Sequence, residues 1–138
     1  MKFSRSTTYG LRSLTNLIIA RANNSSRVKS LKIIAQEERI SLKFLEKLFA
    51  QFKKADIVKS TRGMHGGYYL SRNIKEISLL SVLEALGEKT VVFQCVSKEG
   101  KITCGQSLKC GAVPVLQKVQ IAINKSLEKM TLEDLIDL

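Results

Sequence analysis

The sequence has no tryptophan, one proline (Pro114) and one histidine (His65) in 138 residues. A single proline excludes a proline-rich linker. No apolar run approaches the ~20 residues needed to cross a bilayer. The opening MKFSRSTTYGLRS has basic residues but no apolar core and no small-residue cleavage pattern, so no leader is predicted. A cytoplasmic protein is expected. Catalysis has little to draw on. One histidine, no His–carboxylate constellation, no phosphate loop and no nucleophile–base pair argue against an enzyme. Exposed aromatic platforms of the kind that read single-stranded RNA are also scarce, because the aromatics apart from Tyr68 and Tyr69 fall mostly on apolar helix faces.

Acidic residues are few as well. There are 12 Asp and Glu against 23 Lys and Arg, a formal net charge of +11. Residues 1–80 hold 16 of the basic and 5 of the acidic residues, whereas residues 81–138 hold 7 of each. The entire excess therefore lies in the N-terminal part. A basic segment joined to a neutral one points to contact with a polyanion. Charge alone does not separate DNA from RNA or an anionic membrane.

Helical periodicity dominates what is present. A first helix is predicted from about Ser6 to Ala22, with Tyr9, Leu11, Leu14, Leu17 and Ile18 apolar, and ANNSSR (22–27) follows as a loop. Ser30 caps a second helix that turns Leu31, Ile34 and Ala35 inward and ends near Glu38. Ser41 caps a third. Its segment LKFLEKLFAQFKKA places Leu45, Leu48, Phe49 and Phe52 on one face and Lys43, Glu46, Lys47, Ala50 and Lys54 on the other. Two helices joined by a tight turn, the second with a basic outer face, form a helix-turn-helix pattern.

IVKST (57–61) and YYLS (68–71) read as strands around RGMHGG (62–67), whose three glycines permit a tight tip carrying Arg62 and His65. A hairpin after a helix-turn-helix is the wing of a winged helix, with the wing reaching phosphates or the minor groove. A short helix, SLLSVLEAL (78–86), stops at Gly87. Pro114 opens a long helix with Leu116, Val119, Ile123, Leu127 and Met130 in one narrow stripe, which is expected to be a dimer contact. Thr131 starts a last short helix, LEDLIDL. The expected fold is mainly α with a small β-hairpin wing, a winged helix-turn-helix plus a long C-terminal dimerisation helix. Its parts are residues 1–87 for DNA binding, 88–113 as a cysteine-containing loop and 114–138 as the dimerisation helix and final turn, all in one compact domain.

All three cysteines fall in CVSKEGKITCGQSLKC (95–110). They cannot all pair within one chain, and disulfides are rare in the cytosol. Metal, cluster or redox chemistry is therefore favoured over structural bridges.

The run ISLKFLEKLFAQFKKADIVKSTRGMHGGYYLSR, followed by EISLLSVLEAL, resembles the bacterial winged-helix transcription regulators of the Rrf family, which includes IscR, NsrR and CymR. The opening MKFSRSTTYGLRSL and the closing TLEDL are similar too, so the likeness covers nearly the whole chain. The resemblance implies a homodimer on double-stranded DNA with a roughly palindromic operator. It puts Ser41, Lys43, Phe44, Glu46 and Lys47 at the DNA-facing start of the recognition helix, and Arg62, Gly63 and His65 on the wing. Glu46 would accept from a cytosine amino group, or else pair with a neighbouring lysine. Tyr9 and Arg12 resemble positions near the DNA backbone or the dimer interface.

Members with three clustered cysteines bind an iron–sulfur cluster, in a two-iron or a four-iron form, whose state modulates DNA binding. Cys95, Cys104 and Cys110 stand where those ligands stand. Soft thiolates suit such clusters. Gly100, Gly105 and Gly111 let the backbone approach, and Lys98, Lys101 and Lys109 favour thiolate. The chain departs from the family in two respects. The gap between Cys95 and Cys104 is longer than usual, and neither usual fourth ligand is present: Val113 replaces a histidine and Thr8 an acid. Glu99, a hydroxyl, a water or a small molecule could serve instead. A thiol switch, a zinc site and inert cysteines remain open.

Overall fold

In a computed structural model that describes residues 2–23, 27–105 and 110–136, the chain begins with helix α1 (Arg5–Asn23), α2 (Leu31–Glu38) and α3 (Leu42–Lys54). Strands β1 (Val58–Thr61) and β2 (Gly67–Leu70) follow, then a 3₁₀ turn (Ile74–Glu76), α4 (Leu79–Ala85), α5 (Val113–Lys129) and a last 3₁₀ turn (Leu132–Leu135). The expected mainly helical, winged architecture is therefore observed. Helix α1 runs one residue further than expected, through Asn23, where a loop was expected. The rest of that loop at 24–26, Lys109 and the last two residues lie outside the described residues.

Serine hydroxyls start three helices, Ser30 and Ser41 as expected and Ser78 in addition. Ser30 accepts the Ile33 amide, Ser41 the Phe44 amide and Ser78 the Ser81 amide. Helices α2 and α3 also end alike. Arg39 and Asp56 adopt left-handed backbone (φ 55° and 57°). The next amide, of Ile40 or Ile57, donates back to Ala35 or Phe52 at 3.0 and 2.9 Å. In both cases the following isoleucine is buried. This closure stops the helix and sends the chain back into the core.

The main core joins Leu14, Leu17 and Ile18 of α1 to Ile34 of α2, Leu45, Leu48, Phe49 and Phe52 of α3, and Ile57, Val58 and Leu70 around the hairpin. Removing one such side chain to alanine costs about 2–5 kcal/mol. Gly10 lets α1 approach Phe52 and Leu86, since a Cβ there would lie 3.1 Å from the Phe52 ring and 2.9 Å from Leu86. Leu132 is buried in the same core. The chain after α5 is drawn there by bonds from the Leu79 amide to the Met130 carbonyl (2.8 Å) and from the Leu132 amide to the Ile77 carbonyl (3.0 Å).

The single apolar stripe expected on α5 divides. Leu116, Ile123 and Leu127 turn inward, the last two against Leu79, Leu80 and Leu83 of α4. Val119 and Met130 stay exposed, in line with Val115, which is 61% exposed, and Ala122. At 3.6 residues per turn, a spacing of threes and fours drifts across two neighbouring faces.

Candidate nucleic-acid interface and cysteine loop

Helix α3 buries Leu45, Leu48, Phe49 and Phe52 and leaves Lys43, Glu46 and Lys47 exposed. The Ser41 hydroxyl is engaged in capping, accepting the Phe44 amide at 3.1 Å. Phe44 is half-buried and meets the Tyr9 ring edge-on, with centroids 5.8 Å apart. The Arg12 guanidinium lies 5.6 Å from the centre of the Tyr9 ring. It donates to the Glu38 carbonyl at 2.6 Å and to the Glu38 carboxylate at 3.2 Å. Arg12 thus closes the C-terminal end of α2, where a cation also suits the helix dipole.

The hairpin pairs Val58 with Leu70 through Thr61 with Gly67. Its tip is a turn closed by the Gly66 amide on the Gly63 carbonyl at 3.0 Å, with Gly63 at φ 109°. Arg62, Gly63 and His65 are exposed there, and Met64 between them is 97% exposed. The wing is tied down at its base. Lys29 and Tyr68 exchange backbone hydrogen bonds of 3.0 and 2.9 Å, adding a one-residue third strand. Tyr68 meets Phe49 edge-on at 5.1 Å, and Lys53 Nζ donates to Ser60 Oγ at 2.7 Å. The base of the wing is therefore joined to α3. Sequence reasoning missed Lys29 and Lys53, because neither a one-residue bridge nor a side-chain bond to Ser60 leaves a periodic signal.

A polar network covers the outside of α1 and α2. Lys29 Nζ donates to Glu37 and to Asn16 Oδ1, both at 2.6 Å. Asn16 Nδ2 donates to Glu37 at 2.8 Å and Glu38 at 2.9 Å. The bond from Lys29, with that from Asn16, holds the Glu37 carboxyl below the usual carboxylate range. This network, with Ile19, Ile33 and the wing tip, lines an open groove of about 720 Å³.

The cysteine loop folds back on itself. Val96 and Ile102 form an isolated antiparallel bridge, flanked by bonds from the Ser97 amide to the Lys101 carbonyl (2.7 Å) and from the Thr103 amide to the Cys95 carbonyl (3.0 Å). Gly100 turns the tip at φ 81°, against Ile121 of α5. The lengthened gap is thus taken up by a miniature hairpin that brings the backbones of Cys95 and Thr103 into direct pairing. Cys95 is half-buried, Cys104 and Cys110 are exposed, and none is in a disulfide. Among the described residues, no three His, Cys, Asp or Glu side chains converge as a metal site.

Two of the neighbouring charges are already engaged. Lys98 pairs with Glu84. Glu99 is exposed and accepts from Ser97 Oγ at 2.9 Å. Its own backbone amide, then Ser97, hold its carboxyl low. Thr8 is exposed on α1, and Val113 is the first residue of α5. A carboxylate that sequence reasoning did not single out, Glu88, accepts from the Ser4 amide at 2.8 Å and from the hydroxyls of Ser4 and Thr7. It ties the start of the loop to the N-terminus of α1, where a negative charge is favourable.

No helix among the described residues is long and apolar enough to cross a membrane. The family model "Rrf2: Iron-dependent Transcriptional regulator" matches residues 3–138. The regulator NsrR of Oceanobacillus iheyensis is 32% identical over 99% of this chain and 90% of its own. IscR of T. potens superposes with a TM-score of 0.71 at 29% identity, covering 99% of this chain and 86% of that one. CymR, the global cysteine regulator of B. subtilis, superposes at 0.73 with 27% identity, covering 98% and 95%. An exposed basic helix face beside a glycine-tipped wing, on a chain matched almost from end to end, makes this protein a member of the Rrf2 family of transcriptional regulators.

Proposed function

We propose that the chain is a cytoplasmic homodimeric regulator that binds palindromic duplex DNA and senses redox, nitric oxide or iron–sulfur status through a cluster on Cys95, Cys104 and Cys110. One observation carries the DNA reading. Lys43, Glu46 and Lys47 point outward from a helix whose other face is the core, and Arg62, Gly63 and His65 are exposed at the tip of the hairpin that follows. The lysines, Arg62 and His65 supply phosphate contacts, and Glu46 supplies base selection by accepting from a cytosine amino group. Ser41 and Phe44 act as supports, one capping the helix and the other seating it on Tyr9.

Residues 1–87 form the DNA-binding part, 88–113 the ligand loop and 114–138 the dimer helix and final turn. The exposed line Val115, Val119, Ala122 and Met130 supports a second copy packing along α5. The donor set fits an iron–sulfur group in chemistry, with three thiols on one loop and no disulfide. When bound, the group supplies the redox- or nitric-oxide-sensitive element. Cys95, Cys104 and Cys110 would hold it.

The test is selection of bound duplexes from a random pool by protein purified without oxygen, with iron and sulfide assayed on the same sample. Enrichment of one palindrome, with iron and sulfide in matching amounts and visible absorbance lost in Cys104→Ala, supports the proposal. No enriched sequence would overturn the DNA reading. A colourless protein that resists reconstitution but still selects a palindrome would leave a regulator using a thiol switch or zinc.

A further inference from the structure

Helix α5 carries three amide side chains on one face, Gln117, Gln120 and Asn124, and all three bind the backbone of the cysteine loop. Gln120 is fully buried, at 0% exposure. Its Nε2 donates to the Thr90 carbonyl at 2.9 Å and to Asn124 Oδ1 at 3.2 Å, while its Oε1 accepts the Val92 amide at 2.9 Å. Asn124 Nδ2 donates to the Lys98 carbonyl, and Gln117 Nε2 to the Gly100 carbonyl at 2.9 Å. The anchors fall at residues 90–92 and 98–100, on either side of Cys95.

A buried amide is directional in a way that an apolar side chain is not. It must find donors and acceptors at set positions, and leaving one unpaired is costly. An apolar residue would fill the same space without dictating the path of the loop. The amides also lie across α5 from the exposed line Val115, Val119 and Ala122, by the rotation of an ideal helix.

We propose that Gln120 is the positioning residue of the cysteine loop. It fixes the path of the loop on the N-terminal side of Cys95 and, with Asn124 and Gln117, holds the hairpin that leads to Cys104. What the thiols hold rests on the proposed function above. The positioning does not, since it concerns the loop whether or not a cluster is present.

The experiment compares wild type with Gln120→Met, a near-isosteric variant without hydrogen-bonding groups. Reduced, metal-free protein is treated with iodoacetamide, and the rate at each cysteine is followed by mass spectrometry. Cys95 should alkylate about fivefold or more faster in Gln120→Met, because local opening of the loop becomes easier. Ile34→Val, a core change remote from the loop, serves as control and should leave the Cys95 rate unchanged. If Gln120→Met fails to fold, Gln117→Met and Asn124→Leu take its place, with smaller increases in the same direction. A wild-type rate in these variants, or an equal increase in Ile34→Val, would overturn the positioning role. Iron loss to a chelator from reconstituted protein should also quicken about fivefold in Gln120→Met, on the same ground of easier loop opening. Wild type that takes up no iron would remove the cluster reading, and the alkylation rates would still decide the role of Gln120.

Discussion

The Tyr9 ring meets Phe44 edge-on at 5.8 Å, joining the second turn of α1 to the first turn of the recognition helix. Arg12 stands over the same ring and closes α2. One aromatic residue thus relates both halves of the helix-turn-helix to α1. Tyr9→Ala should destabilise the protein by about 2 kcal/mol through the lost aromatic pair and the unsupported guanidinium. Duplex binding should weaken even though Tyr9 itself is not counted among the DNA contacts. Urea unfolding and a duplex titration would check both. Unchanged affinity with the full stability loss would show that α3 holds its pose without Tyr9.

Gly67 lies against the Lys29 carbonyl, and a Cβ there would collide with backbone rather than with a side chain that could move. Gly67→Ala should therefore push the Lys29 strand off β2 and cost about 3 kcal/mol. Hydrogen exchange at the Lys29 and Tyr68 amides, which bond each other's carbonyls, should accelerate selectively. Retained protection there would refute the account of the wing's base.

Asp56 occupies the left-handed position that ends α3 (φ 57°) and is exposed. An L-residue is strained in that conformation, and a carboxylate at a helix C-terminus opposes the dipole. Asp56→Gly relieves both and loses some unfolded-state advantage. The expected net gain is about 1 kcal/mol, read as a higher urea midpoint.

Glu88 caps α1 from far along the chain, and the Ser4 hydroxyl, then Thr7, hold its carboxyl below the usual range. A depressed carboxylate stabilises the fold above its unfolded pKa, and that contribution disappears as pH falls through the lower folded value. Glu88→Gln should thus lower the thermal midpoint at pH 7, by roughly 1 kcal/mol of stability. The gap to wild type should close as the medium is acidified below the folded pKa. A gap that is the same at neutral and acid pH would assign the effect to shape instead of charge.

Much of this architecture is legible in local chemistry. Ser30, Ser41 and Ser78 begin helices because a hydroxyl satisfies an otherwise unpaired amide, and the apolar face of α3 is set by residue spacing alone. RGMHGG turns where glycine permits it. The family resemblance reached the same winged helix. Local signals failed where partners come from far away in the chain. Nothing near Gln120 marks it as buried, since its backbone partners belong to residues 90 and 92. Arg12 takes its role in closing α2 from Glu38, 26 residues away in the chain.

The sequence by itself therefore determined the helix order, the basic outer face of α3, the wing and the grouping of three thiols, because each depends on residue type at short spacing. Only the tertiary structure decided three other features. It split the α5 stripe into a packed and an exposed line, folded the long cysteine gap into a hairpin, and directed the amides of α5 onto that hairpin. These depend on which surfaces meet across the chain, and a buried polar side chain takes its role from the groups it is buried against.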